Sequence, residues 1–159
     1  MMITRRYRGY GLFVLVPILA ALALTSCATP SVQFDTPEGF ARYVEEGRQG
    51  AVSPEGVILS AYRTANEPQQ DLAFWAEAVE LHLADAGYLL LHTGEFETAS
   101  LDGRYFEWVA PLGEDDWVYL TAFCVDDGAI AVVEAAGPYD VYGRYRDGIR
   151  ESLQTVRIR

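Results

Sequence analysis

The side chains with which this chain could do chemistry are few: two histidines, His82 and His92, two cysteines, Cys27 and Cys124, and 23 carboxylates. A zinc site needs four ligands, or three and a water. The histidines lie ten residues apart, without an HExxH pattern or paired cysteines. His82 and Asp85 stand at i, i+3 and make at most a weak metal pair; the simpler reading is a solvated helix histidine and, at His92, an exposed strand residue. Glu114-Asp115-Asp116 and Asp126-Asp127 offer the oxygen ligands that calcium prefers but lack the full spacing of a calcium loop, so they read as solvated turn acids. Cys124 alternates with Ala122 and Leu120 on an apolar face, where cysteine behaves as a small inert hydrophobe; an intermolecular disulfide or a redox role is the alternative. No catalytic residue, metal site or cofactor is assigned, and the chain is expected not to be an enzyme.

There is no lysine, which removes Schiff-base chemistry and a P-loop phosphate site. From Cys27 onward nine arginines face all 23 acids, a net charge of −14 that repels nucleic acid and anionic head groups. Five of those arginines fall in the last sixteen residues, which are net +3. Tyr142, Arg146 and Arg150 recur every four residues, opposite the apolar stripe Val141, Tyr145, Ile149 and Leu153. They are expected to form one exposed helical face that contacts a protein partner, since arginine and tyrosine are enriched in interfaces.

The elements that would position these residues begin with the N-terminus. Arg5, Arg6 and Arg8 precede the apolar run Gly11 to Leu24, which as a helix spans about 21 Å, short of the roughly 30 Å hydrocarbon core. A positive start, a short apolar middle and small residues at the break are the parts of an export signal. Leu24-Thr25-Ser26-Cys27 resembles the lipobox of bacterial lipoproteins. That resemblance implies a signal peptide over 1–26 and a membrane anchor at Cys27 made of a diacylglyceryl group and an acyl chain such as palmitate. It also implies a short tether over 27–31. Ala28, where an aspartate would retain the protein in the inner membrane, implies the periplasmic face of the outer membrane of a Gram-negative bacterium. Thr4-Arg5-Arg6-Tyr7 leaves twin-arginine export as an alternative, although Arg8 and Gly9 stand where that pattern has apolar residues.

Residues 32–159 read as one domain. Strands are expected at Val32 to Asp35, Val57 to Thr64, Tyr88 to His92, Phe96 to Leu101, from Arg104, from Trp117, from Ala129, and at Thr155 to Ile158. The spacing of Leu72, Trp75 or Ala76, Val79, Leu83 and Ala86 predicts a helix over Asn66 to Ala86, stopped at Gly87. Gly137-Pro138 opens a second helix. The strands from Trp117 and Ala129 are apolar on both alternating faces and need cover on both. The fold class is therefore α+β, a single antiparallel sheet flanked by two helices.

This order of elements resembles the PsbP-like superfamily of α/β/α sandwiches, which includes a photosystem II extrinsic protein and many bacterial lipoproteins. The resemblance rests on Phe34 with Pro37-Glu38-Gly39-Phe40, the aromatic strand from Tyr105 to Trp108, Val125-Asp126-Asp127-Gly128, Gly137-Pro138 with Tyr142 and Tyr145, and Ser152-x-x-Thr155. Phe40 stands where many members carry tryptophan. The resemblance implies a noncatalytic docking or assembly role, here as a lipid-anchored cell-envelope protein with an envelope protein as partner. The alternative is a small-ligand or lipid-binding module with a pocket between sheet and helix, lined by residues such as Trp75, Trp108 and Trp117.

Overall fold

The computed structural model of the chain describes residues 31–112 and 115–159, with side-chain surroundings for all of these except 111, 112 and 115. The signal peptide expected over 1–26, the lipidation site expected at Cys27, and Glu114 lie outside the described residues.

The chain runs β1 (Val32–Gln33), β2 (Ala41–Glu45), β3 (Arg48–Val52), β4 (Ile58–Ala65), α1 (Leu72–Asp85), β5 (Leu89–Glu97), β6 (Asp102–Leu112), β7 (Asp115–Asp126), β8 (Ala129–Pro138), α2 (Tyr139–Tyr142), α3 (Arg146–Leu153) and β9 (Arg157–Ile158). Seven strands form an antiparallel sheet in the order β2-β3-β4-β8-β7-β6-β5, so α1 carries the chain from β4, in the middle of the order, to the β5 edge. The class is α+β around an antiparallel sheet. The expectation of a single sheet is corrected: β1 and β9, at the two ends of the described chain, pair as a second sheet of their own through Val32 with Ile158 and Gln33 with Arg157.

The period of two along each strand divides the core. Val118, Leu120, Ala122 and Cys124 of β7 point to one side with Ala131, Val133 and Ala135 of β8, and meet Val32, Phe34, Tyr142, Ile149 and Leu153. Phe123 and Ile130 point to the other side with Phe106 and Trp108, where Leu72, Trp75, Ala76, Val79 and Leu83 of α1 pack. Apolar residues on both faces of β7 and β8 thus have apolar cover on both. Each fully buried leucine or isoleucine, such as Leu59, Ile149 or Leu153, contributes about 1.5–3 kcal/mol.

The helix α1 is five residues shorter at its start than periodicity indicates, counting from the Asp71 cap. Pro68 biases its predecessor away from helix, and the Asn66 amide turns back on the chain, donating to Gln70 O (2.9 Å) and accepting from Gln70 N (3.1 Å). The helix starts where the Asp71 carboxylate accepts from Phe74 N at 2.9 Å. It ends at Gly87, with φ at 89°, where Tyr88 N donates to Leu83 O.

Three other elements differ from the sequence reading. The strands expected at Tyr88 to His92 and Phe96 to Leu101 are one strand, β5, which turns into β6 through 98–101. The turn Glu46-Gly47 has both residues at positive φ, 48° and 76°, and joins β2 to β3 as a two-residue hairpin. The second helix is broken: Arg144 N donates to Val141 O and Tyr145 N to Tyr142 O, three-residue bonds that separate α2 from α3.

Candidate functional site

That break overturns the expected exposed face of Tyr142, Arg146 and Arg150. An uninterrupted helix would place the three on its outer side, but the tight turn at 143–145 shifts the phase of α2 against α3. Tyr142 is 0% exposed, and burial and the Glu107 charge hold its phenol well above the usual range. Arg146 Nε donates to Glu107 Oε2 and Arg150 Nε to Oε1, each at 3.0 Å. Glu107 is 0% exposed, and the two arginine side chains are 28% and 29% exposed. Glu107 sits midway along β6, the strand next to the β5 edge, in register with Leu120 of β7, so α3 is fastened over the sheet by two charge-assisted bonds to one carboxylate.

The Arg146 guanidinium also lies 5.8 Å from the Tyr142 ring centroid, and that of Arg150 lies 5.1 Å from the Tyr105 ring centroid. These arginines are fixing groups between helix and sheet. The sequence hid this because Glu107, between Phe106 and Trp108, reads as the solvent-facing member of an alternating strand; its partners lie about forty residues away.

The other candidates are equally committed or dispersed. Cys124 is buried, and burial together with the Asp102 charge pushes its thiol up to about 12, so the sulfur stays protonated at neutral pH. His82 and His92 are both exposed. Among the described residues, no group of three His, Cys, Asp or Glu side chains is placed to hold a metal ion. The three tryptophans do not line one pocket. Trp108 is buried against Phe106, their rings stacked 5.8 Å apart. Trp75 Nε1 donates to Asn66 Oδ1 at 2.8 Å, and Trp117 borders a separate hollow of about 440 Å³ with Pro138 and Tyr139.

Two clusters carry no signal in the sequence. Asn66 is buried and uses every amide valence, adding to Gln70 and Trp75 a bond from Nδ2 to Asp126 O at 3.1 Å; it pins the start of α1 to the β7–β8 hairpin. Glu134, on the α1 side of the sheet, accepts at Oε1 from Tyr119 (2.7 Å) and Tyr62 (3.2 Å). Burial and that carboxylate raise both phenols, Tyr62 to about 12. The Arg48 guanidinium covers the Tyr62 ring at 4.6 Å.

Among the described residues, Tyr43, Val44, Ile58, Leu89 and Tyr139 expose apolar side chains, and α1 exposes two along one line, Phe74, whose ring meets the edge of Trp75 at 5.4 Å, and Leu81. Leu72, Trp75, Ala76, Val79 and Leu83 point to the sheet. At 100° per residue, Phe74 and Leu81 stand on the opposite pole, 45% and 58% exposed. A helix that is apolar on its outer as well as its inner side is unusual for a surface element, and single exposed apolar residues elsewhere do not make such a stripe. Leu90, on the neighbouring edge strand β5 and in register with Trp108, is 42% exposed on the same side of the sheet.

Among the described residues, no helix is long and apolar enough to cross a membrane. No family model matches the chain, and no curated protein matches it in sequence. Solved structures do resemble it. LpqN, a protein involved in cell envelope biogenesis of Mycobacterium tuberculosis, superposes with a TM-score of 0.61 at 10% identity, covering 85% of this chain and 87% of LpqN. PA94 of Pseudomonas aeruginosa, a protein of unknown function, gives 0.56 at 11% identity over 76% of this chain and 97% of its own. The cyanobacterial PsbP of Synechocystis sp. PCC 6803 gives 0.54 at 10% identity, over 89% of this chain and 99% of its own. The chain is thus similar in fold to the cyanobacterial PsbP and to LpqN, at a sequence identity that carries the fold alone.

Proposed function

We propose that this chain is a lipid-anchored, noncatalytic protein of the bacterial cell envelope that works by binding another protein. The observation that carries this reading is an inversion of the usual distribution of side chains. The Cys124 thiol and the Glu107 carboxylate with its two arginines are spent inside the domain, while Phe74 and Leu81 are exposed on a helix whose other face is packed on the sheet. Interfaces are built from such exposed apolar anchors. The fold shared with LpqN, whose role is in cell envelope biogenesis, supports the compartment, as do the lipobox-like residues ending at Cys27. On this reading Cys27 carries the lipid, and the domain stands on the periplasmic face of the outer membrane.

Metabolic labelling with an alkyne-bearing palmitate tests the anchor. The full chain is expected to take up the label and to sediment with the outer-membrane fraction, and Cys27→Ala to lose both. Label retained by Cys27→Ala would refute lipidation at this residue.

A further inference from the structure

The outer face of α1 has a chemistry that selects among the surfaces able to cover it. Residues 64–103, which include all of α1 and β5, hold eight carboxylates, Glu67, Asp71, Glu77, Glu80, Asp85, Glu95, Glu97 and Asp102, and not one lysine or arginine. Arg104 of β6, on the same face of the sheet as Phe106, is occupied by Glu95 at 2.8 Å, and the basic side chains within this stretch are His82 and His92 alone. On α1 itself Glu77 and Asp85 flank the line from Phe74 to Leu81, at roughly 40° on either side of the pole by the 100° helical step. The stripe is therefore apolar along its length and acidic along its borders.

Phe74 and Leu81 are seven residues, two turns, apart, a separation of about 10.5 Å along the axis. That is the repeat at which a second helix laid alongside presents its own apolar side chains. We propose that α1 docks an amphipathic helix of a different protein, whose apolar stripe covers Phe74, Leu81 and the edge at Leu90 and whose flanks carry lysine or arginine. The inference rests on the protein-binding reading given above and names the partner's chemistry.

Charge and placement argue against the other occupants. A two-fold contact between copies would set this acidic face against itself. An anionic lipid surface is repelled in the same way. Placement adds a second reason, because β1, where the described chain begins, packs with the core on the other side of the sheet from α1. On the reading that Cys27 carries the lipid, the chain enters the domain on the side of the sheet away from α1.

The full chain is produced in its host with a photoreactive benzophenone side chain at position 74 or 81, and at position 43 or 139 as controls, these being other exposed sites. After irradiation of intact cells, adducts are mapped by mass spectrometry to the segment they join. Positions 74 and 81 are expected to give adducts to an apolar helical segment of another protein that is flanked by lysine or arginine. Neutralising the border with Glu77→Gln and Asp85→Asn should lower their yield about fivefold or more. Adducts to a second copy, to lipid or to a segment without basic flanks, or none at 74 and 81, overturn the proposal. If positions 43 or 139 join another protein while 74 and 81 do not, the α1 assignment falls and the protein-binding reading stands. If no position joins any protein, both fall.

Discussion

Tyr105 lies across the backbone of Gly94, its cross-strand partner, so closely that a Cβ on Gly94 would stand 2.6 Å from the phenol oxygen. The same ring supports the Arg150 guanidinium, which bonds Glu107. The bare backbone of the edge strand β5 thereby sets the position of an aromatic ring, the ring steadies an arginine, and the arginine holds α3 to the sheet. Gly103 under Phe96 and Gly50 under Tyr43 repeat the pairing, in which an aromatic side chain covers a strand glycine.

Gly94→Ala is therefore expected to push Tyr105 off its site and to cost about 1–3 kcal/mol of folding stability, the usual range for overpacking. In a Tyr105→Ala background the same substitution should cost much less. Urea denaturation of the four proteins of this cycle measures the coupling; additive effects would mean that the ring and the glycine do not act together.

Glu107→Gln removes the charge that two arginines share. Breaking a buried ion pair from one side costs about 3–5 kcal/mol, because the remaining charges stay in place without compensation. Arg146→Gln and Arg150→Gln each leave one pair intact and should cost less than the glutamate variant. The ranking is read from thermal or chemical denaturation, and equal losses would contradict the shared-carboxylate arrangement.

Asn66→Ala leaves Gln70 and the Trp75 indole without their partner, at a cost of about 1–3 kcal/mol. The loss should be local. Amide hydrogen exchange is expected to quicken across Leu72 to Val79 while β3 and β4 keep their protection, and the Trp75 emission should shift to the red.

On the alkaline side the buried acids set the trend. The Cys124 thiol is raised from 9.0 to about 12 and the Tyr62 phenol from 10.0 to about 12, so between these values the unfolded chain gives up protons that the folded chain keeps. Stability from these groups is full below pH 9 and declines as pH rises toward about 12. Denaturation midpoints measured from pH 7 to pH 11 should fall above pH 9, and Cys124→Ala should flatten the first part of that fall. A thiol reagent at pH 8 should label Cys124 only once the protein is unfolded.

Much of the fold was legible because long strands announce themselves. Trp117 to Val125 and the run from Ala129 carry apolar residues on both alternations, and the structure places them in the middle of the sheet. The stripe Leu72, Trp75, Val79, Leu83 is the face by which α1 packs. The β2–β3 hairpin was not legible, since its two left-handed residues are Glu46-Gly47 rather than the familiar Asn-Gly, and every residue of β2 is exposed, so no burial pattern marks it. The face at Tyr142, Arg146 and Arg150 was misplaced because spacing by four carries information only while a helix is continuous. Two three-residue bonds after Val141 and Tyr142 end that continuity, and no periodicity reveals them. The outward pair Phe74 and Leu81 was present in the sequence but sat in the shadow of a helix judged by its inner stripe.

The pairing of β1 with β9 makes the domain nearly a closed ring. Arg159 N donates to Ser31 O at 2.8 Å, and two further residue pairs join the ends of the described chain. Force applied through the N-terminal lead would first meet that short pairing and the Gln49 side chain, whose amide holds Phe34 by its N–H and its carbonyl. The last three residues thus serve as a latch on the first strand. Clipping them would remove Ile158 from the margin of the core and let the first strand lift.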